Sequence, residues 1–197
     1  TTHELAEMIK EIGIDFNSLE DEPCDNPFGE ESGSGVIFGA TGGVTEAVLR
    51  FAAEKLTGKK LDDVKFEAVR GADGIREASL NVAGITLNLC QVHGLANARK
   101  VVESIRNGEK QYHVVEVMAC PGGCVGGGGQ PIHDSVEMAP ERAKTLYAQD
   151  AAGALRFSHE NPDVIRCYEE YLEKPLSERA EHLLHTDHHG WKMPGER

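Results

Sequence analysis

The chain has 197 residues, with 20 Lys and Arg against 33 Asp and Glu for a formal charge of −13, and 40% of its residues are hydrophobic. That is enough apolar material for one large or two small folded domains, which speaks against intrinsic disorder, and no stretch approaches the roughly 18 apolar residues of a membrane span. An acidic chain is repelled by phosphate backbones, so nucleic acid and anionic lipid are not expected as partners. Five cysteines, at 24, 90, 120, 124 and 167, make an odd number that fits a reducing compartment, the cytoplasm, better than a secreted disulfide framework. The opening Thr1-Thr2-His3-Glu4-Leu5 lacks a basic start followed by an apolar run, so no signal peptide is expected. A first residue other than methionine fits processing or a piece of a longer protein.

In chain order, Leu5, Met8, Ile9 and Ile12 have helical spacing behind Thr2 as a cap, predicting a short surface helix over 2–12. Residues 15–34 are rich in Glu, Asp, Asn, Pro, Gly and Ser and read as a long loop. Val36-Ile37-Phe38 reads as a short buried strand entering the turn Gly39-Ala40-Thr41-Gly42-Gly43, after which Val44, Val48, Leu49, Ala52 and Leu56 predict a helix ending near Gly58. Apolar residues then alternate through Val64-Phe66-Ala68, Ala78-Leu80-Val82 and Ile85-Leu87-Leu89, with turn signals between them, predicting an antiparallel meander. A helix over 97–105 and a buried strand over 112–118 follow, and the strand leads directly to Cys120. Beyond Pro140 three amphipathic helices are expected, over 141–149, 163–172 and 176–185, before a frayed tail from Gly190 to Arg197. The fold class is α/β: a partly parallel sheet flanked by helices with an antiparallel meander, plus a C-terminal helical appendix.

The chemistry concentrates in Met118-Ala119-Cys120-Pro121-Gly122-Gly123-Cys124-Val125-Gly126-Gly127-Gly128-Gly129-Gln130-Pro131. Two soft thiolates stand four residues apart at the end of a strand, and six of the eight residues 122–129 are glycine. Ordering so much glycine costs conformational entropy, and the pattern suits a backbone approaching something bulky, such as a metal cluster. An inert glycine-rich loop and a dithiol redox pair are the weaker alternatives, the latter because its spacing is normally C-x-x-C. Two thiolates do not complete a tetrahedral zinc or a cubane iron–sulfur cluster. Cys24, Cys90 and Cys167 show no second paired spacing and read as ordinary thiols.

The string from Met118 to Pro131 resembles the third cluster-binding signature of the iron-only (FeFe) hydrogenases, M-x-C-P-x-G-C followed by two residues and G-G-G-Q-P. The segment from Phe38 to Ala47 is similar to that family's turn beside the same cofactor. The stretches Ser158-His159-Glu160-Asn161-Pro162 and Leu183-Leu184-His185-Thr186 resemble its small-subunit region. The resemblance covers nearly the whole chain and implies two regions: residues 1–139 as the C-terminal portion of the large-subunit-like H-cluster domain, and 140–197 as the small-subunit-like helical region and tail. It implies an oxidoreductase whose H-cluster, a 4Fe-4S cubane joined to a diiron unit with carbonyl, cyanide and dithiolate ligands, interconverts H2 with protons and electrons. By the same resemblance Cys120 is a cubane ligand, and Cys124 bridges the cubane to the catalytic diiron unit. Met118, Phe38, Gly39, Gly42 and Val44 shape the cofactor pocket.

The family's other two signatures, containing T-S-C-C-P and P-C-x-x-K, are absent. Two cubane ligands, the proton-relay cysteine and a lysine for cyanide are therefore missing, so the chain alone is expected to hold no complete H-cluster and to be inactive. The implied partners are the upstream part of the same catalytic domain and a redox partner, either ferredoxin or a nicotinamide-linked subunit. The alternative function is a non-catalytic, hydrogenase-like iron–sulfur assembly or sensor protein. The 39–43 turn also resembles a dinucleotide turn, but the third glycine is out of register and the cysteines stay unexplained. His182, His185, His188 and His189 read as surface imidazoles at a helix end. Glu103, Lys110 and the Asp62-Asp63 pair read as solvated charge.

Overall fold

A computed structural model of the chain describes residues 1–23, 31–59, 66–71, 73–82, 84–132, 137–186 and 190. Its centre is a three-stranded sheet in the order β1-β2-β3. Strands β1 (Ile75–Val82) and β2 (Ile85–His93) pair antiparallel from Ile75 opposite Val92 to Val82 opposite Ile85. Strand β3 (Val114–Met118) runs parallel to β2, with Leu89 opposite Val114 and His93 opposite Met118. A parallel pair needs a crossover, supplied here by helix α4 (Leu95–Arg106). The expectation of a mixed sheet flanked by helices is met.

Alternation along the strands divides the sheet into two faces. Leu49 and Ala53 of helix α3 (Gly43–Thr57) pack with Val69, Val82 and Leu89 on one face, joined by Phe66, Ala78, Leu80, Leu87 and Val114. On the other, Cys90 and Val92 pack against Val101 and Ala98 of α4 and against Tyr112. Helix α1 (Thr2–Ile12) has the expected bounds. Thr1 rather than Thr2 caps it, with Thr1 Oγ1 accepting from the Glu4 amide at 3.3 Å while the Glu4 carboxylate accepts from the Thr1 amine at 2.9 Å. It buries no residue.

Two expectations fail. Residues 36–38 form no strand: helix α2 (Gly33–Val36) runs into a 3-10 turn over Ile37–Gly39. Ser32 caps α2, and the amides of Gly33 and Ser34 donate to the carbonyls of Leu155 and Arg156, so a distant segment holds this backbone in turns. The meander is also shorter than expected. Glu67–Val69 is a 3-10 turn, Val64 lies outside the described residues, and what remains is the β1–β2 hairpin.

The C-terminal region is helical, as expected: α5 (Ala139–Ala152), α6 (Pro162–Cys167) continuing as a π-helical turn over Tyr168–Leu172, and α7 (Glu178–Leu184). Apart from Gly190, the predicted tail lies outside the described residues. No helix among the described residues is long and apolar enough to cross a membrane.

Candidate functional site

Strand β3 delivers the cysteine segment. Its alternation puts Val114, Glu116 and Met118 on the α3 face, and Met118 ends the strand half-buried, its carbonyl accepting from the Gly94 amide at 2.9 Å. The chain then folds through successive tight turns. Gly123 N donates to Cys120 O at 3.1 Å, Gly126 N to Gly123 O at 3.0 Å, and Gly127 N to Cys124 O at 2.9 Å. Cys124 opens a 3-10 turn over Cys124–Gly126 and is exposed, whereas Cys120 is half-buried.

The glycine turn before α3 is pressed against this loop. Thr41 N donates to Gly122 O at 3.0 Å. A Cβ on Gly123, whose φ is +95°, would stand 2.8 Å from both Gly39 O and Thr41 N. From β3 the buried Glu116 carboxylate reaches across, accepting from Gly42 N at 2.6 Å, Thr45 N at 2.8 Å and Thr45 Oγ1 at 3.0 Å. A carboxylate at the amide end of α3 satisfies donors that a helix start leaves free and complements its dipole. Glu116 thereby ties the turn of Phe38, Gly39, Gly42 and Val44 to the strand that ends at Met118, two residues before Cys120.

The expected reason for the glycines changes accordingly. A Cβ on Gly122 would stand 2.7 Å from Ala139 Cβ, on Gly126 2.0 Å from Pro121 O, and on Gly42 1.9 Å from Val69 O. Much of the glycine content therefore serves the protein's own close packing, while the space around Gly128 is open. Phe38 and Val44 meet in an apolar groove of about 250 Å³ with Val48, Phe51 and Phe157, and Phe38 is 43% exposed. No cysteine among the described residues lines it. Gly39 faces Leu146, whose Cδ1 would stand 2.7 Å from an added Cβ. A second cavity, about 330 Å³, lies where Thr41 and Gly122 meet Arg70, Lys144 and Tyr147.

Behind the turn, α3 is bolted to α5 by buried charge. Arg50, fully buried, donates through Nη1 and Nη2 to the Asp150 carboxylate at 2.8 and 2.7 Å and through Nη2 to Glu46 Oε1 at 2.8 Å. Arg70 grips Glu46 through Nε and Nη2 at 2.7 Å each and lies 4.0 Å over the Tyr147 ring. Arg156 completes the set on Asp150. Burial alone would raise the Asp150 carboxyl, but Arg50 and Arg156 outweigh it and hold it below the ordinary aspartate range. Arg50 is likewise held above its usual value, its carboxylate partners outweighing burial. Tyr147 is pushed up to about 12, first by burial and then by Glu46.

Of the remaining sequence candidates, Cys90 is fully buried in β2 and burial raises its thiol, with Glu77 adding to the effect. Cys167 is half-buried at the end of α6; His182 and His185 are exposed. Cys24, Asp62, Asp63, His188 and His189 lie outside the described residues. Sequence reasoning passed over Glu46, Arg50, Glu116, Arg142 and Asp150. The usable signals were charges in apolar surroundings: the Glu46/Arg50 pair, four apart on the face of α3 that also carries Leu49 and Ala53, and Glu116 between valines in β3. Among the described residues no group of three or more His, Cys, Asp and Glu gathers as a metal site. The donor set fits half of a cubane: two thiolates on one loop.

Residues 1–128 match the family described as iron only hydrogenase large subunit, C-terminal domain, and residues 136–191 match iron hydrogenase small subunit. An NADP-reducing hydrogenase subunit of Solidesulfovibrio fructosivorans is 52% identical over 187 residues, 94% of this chain and 32% of that protein. Protein NAR1 of Arabidopsis thaliana is 32% identical over 197 residues, 96% of this chain and 41% of that protein. A solved FeFe-hydrogenase from Chlamydomonas reinhardtii superposes with a TM-score of 0.71 at 38% identity, over 93% of this chain and 53% of that one. The chain thus spans 32% to 41% of these two curated relatives. With the cysteine loop, the glycine turn and the helical region all matched in order, the chain belongs to the iron-only hydrogenase family, joining the C-terminal domain of the family's large subunit to its small-subunit region.

Proposed function

We propose that the protein acts within a hydrogenase catalytic unit that interconverts H2 with protons and electrons at an H-cluster. Cys120 would serve as a cubane ligand, and Cys124 as the ligand through which the chain would hold the catalytic diiron unit beside it. The observation that carries this reading is the seating of both cysteines on one turn-built loop at the end of β3, with Glu116 and the 39–43 backbone behind it. When bound, the cluster supplies the metal chemistry that splits or forms hydrogen. The chain's own residues position and shield it. Met118 offers a thioether, Phe38 and Val44 an apolar wall, and Gly39 and Gly42 a turn without side chains.

In this reading residues 1–139 are the C-terminal portion of the large-subunit-like domain and 140–197 the small-subunit-like region and tail. The remaining cubane ligands and the proton-relay thiol come from an upstream part of the same domain, so this chain alone is inactive. A ferredoxin or a nicotinamide-linked subunit exchanges the electrons. Non-catalytic iron–sulfur assembly is the second reading, supported by a relative named cytosolic iron-sulfur assembly component 3 from Rattus norvegicus; 52% identity to a hydrogenase subunit against 34% to that protein favours the first.

The test is anaerobic reconstitution of the chain beside an upstream catalytic half taken from a hydrogenase relative, supplied with iron, sulfide and a synthetic diiron dithiolate complex carrying carbonyl and cyanide ligands, with bound iron, acid-labile sulfide and viologen-linked hydrogen turnover measured. Wild type gains a cluster and turns over hydrogen, while Cys120→Ser/Cys124→Ser loses both. Equal iron in wild type and double variant overturns the site. A bound cluster without turnover moves the protein to the second reading.

A further inference from the structure

Arg142 of α5 sends Nη1 to the Val125 carbonyl at 3.0 Å and Nη2 to the Pro131 carbonyl at 2.6 Å. These two carbonyls bracket the glycine run that follows Cys124. Between them, among the described residues, the loop has three local turn bonds, Gly126 N to Gly123 O at 3.0 Å, Gly127 N to Cys124 O at 2.9 Å and Gln130 N to Gly127 O at 3.3 Å, and one backbone bond from elsewhere, His3 N to Gly129 O at 3.0 Å, which leaves residues 124–128 without an outside backbone partner. A backbone of consecutive glycines has the most conformational freedom to lose, so it needs an outside brace. The planar guanidinium can hold two acceptors at a fixed separation, which a single ammonium cannot. The same helix is pressed close, with Ala139 Cβ 2.7 Å from where a Cβ on Gly122 would stand and 3.2 Å from one on Gly126. Its far end is locked to α3 through Asp150 and Arg50.

We propose that Arg142 is a positioning residue, and that through it the small-subunit-like region fixes the loop bearing Cys124. The guanidinium fork closes the loop at both ends, and the Asp150–Arg50 pair fixes α5, so the position of Cys124 is referred back to α3. The purpose given to this clamp rests on the H-cluster reading; the clamp itself belongs to this chain and is measurable without iron.

Hydrogen exchange by mass spectrometry on the metal-free chain, comparing wild type with Arg142→Met and Arg142→Lys, tests it. In both variants the amides of Gly126, Gly127 and Gln130 exchange about tenfold faster, the scale of one lost charge-assisted hydrogen bond, while α3 and β2 amides keep their rates. Unchanged loop exchange in Arg142→Met overturns the proposal. So does wild-type protection in Arg142→Lys, which would mean that charge alone suffices. A uniform rise across α3, β2 and the loop also overturns it, because Arg142 would then only support the fold. Should Arg142→Met fail to fold, Arg142→Lys decides. If the loop responds as expected but reconstitution gives no cluster, the H-cluster reading fails and the clamp stands.

Discussion

Helix α3 joins two regions held by different forces. Leu49 and Ala53 sit in an apolar core with Val69, Val82 and Leu89. Thr45, Glu46 and Arg50 are just as buried, yet they are fastened by hydrogen bonds and charge to Glu116, Arg70 and Asp150. Apolar burial is strong but has no direction. Buried ion pairs add little net stability over an apolar filling, yet they punish displacement, because a partner left alone is a desolvated charge. The core holds the domain together; the buried polar side chains decide where the glycine turn, the cysteine loop and α5 stand relative to one another.

That contrast breaks most sharply at the seam. Asp150→Ala removes one of the two carboxylates on the buried Arg50 and is expected to cost about 3–5 kcal/mol in urea unfolding, while also loosening the Cys124 loop. Leu49→Ala is expected to cost about 2–5 kcal/mol by cavity formation while loop exchange relative to the rest of the chain is unaltered. If Leu49→Ala disturbed the loop as much as Asp150→Ala, the division of labour between core and seam would be wrong. Gly123→Ala adds a side chain at φ +95° against the backbone of residues 39–41. It should cost about 1–3 kcal/mol and cut iron uptake in the reconstituted pair more than it cuts stability.

The smallest effect is the pH dependence. The Asp150 carboxyl is held below its unfolded value, so its contribution is fully present above about pH 4 and is lost as pH falls through the lower folded value. Urea midpoints of wild type should therefore fall more steeply in acid than those of Asp150→Asn, and the gap between them should close. Parallel curves would remove Asp150 from the acid response.

Regions with a long, clear period were legible in the sequence: α1, α3, α4, the helical C-terminal region and the strand into Met118. Val36-Ile37-Phe38 was not, because three apolar residues beside glycines have no period to distinguish a strand from a turn. Gly33 shows what settled it. A Cβ there would stand 2.1 Å from Asp150 Oδ1, so the seam itself requires tightly packed small residues in turns at this point. The glycines were visible as a group, but their individual partners, Ala139, Pro121 and the 39–41 backbone, come from elements that composition does not bring together.

The sequence by itself determined the cysteine pair, its spacing, the glycine run and the family, because these are matters of residue type at short range. Only the tertiary structure decided what braces them. Glu116 lies 74 residues from Gly42, Arg50 lies 100 from Asp150, and Arg142 lies 17 from Val125. Each contact joins a charged side chain to a group on a different element. No local pattern marks such a pairing, since a charge in a helix or strand reads as solvent-facing until the fold encloses it with its partner.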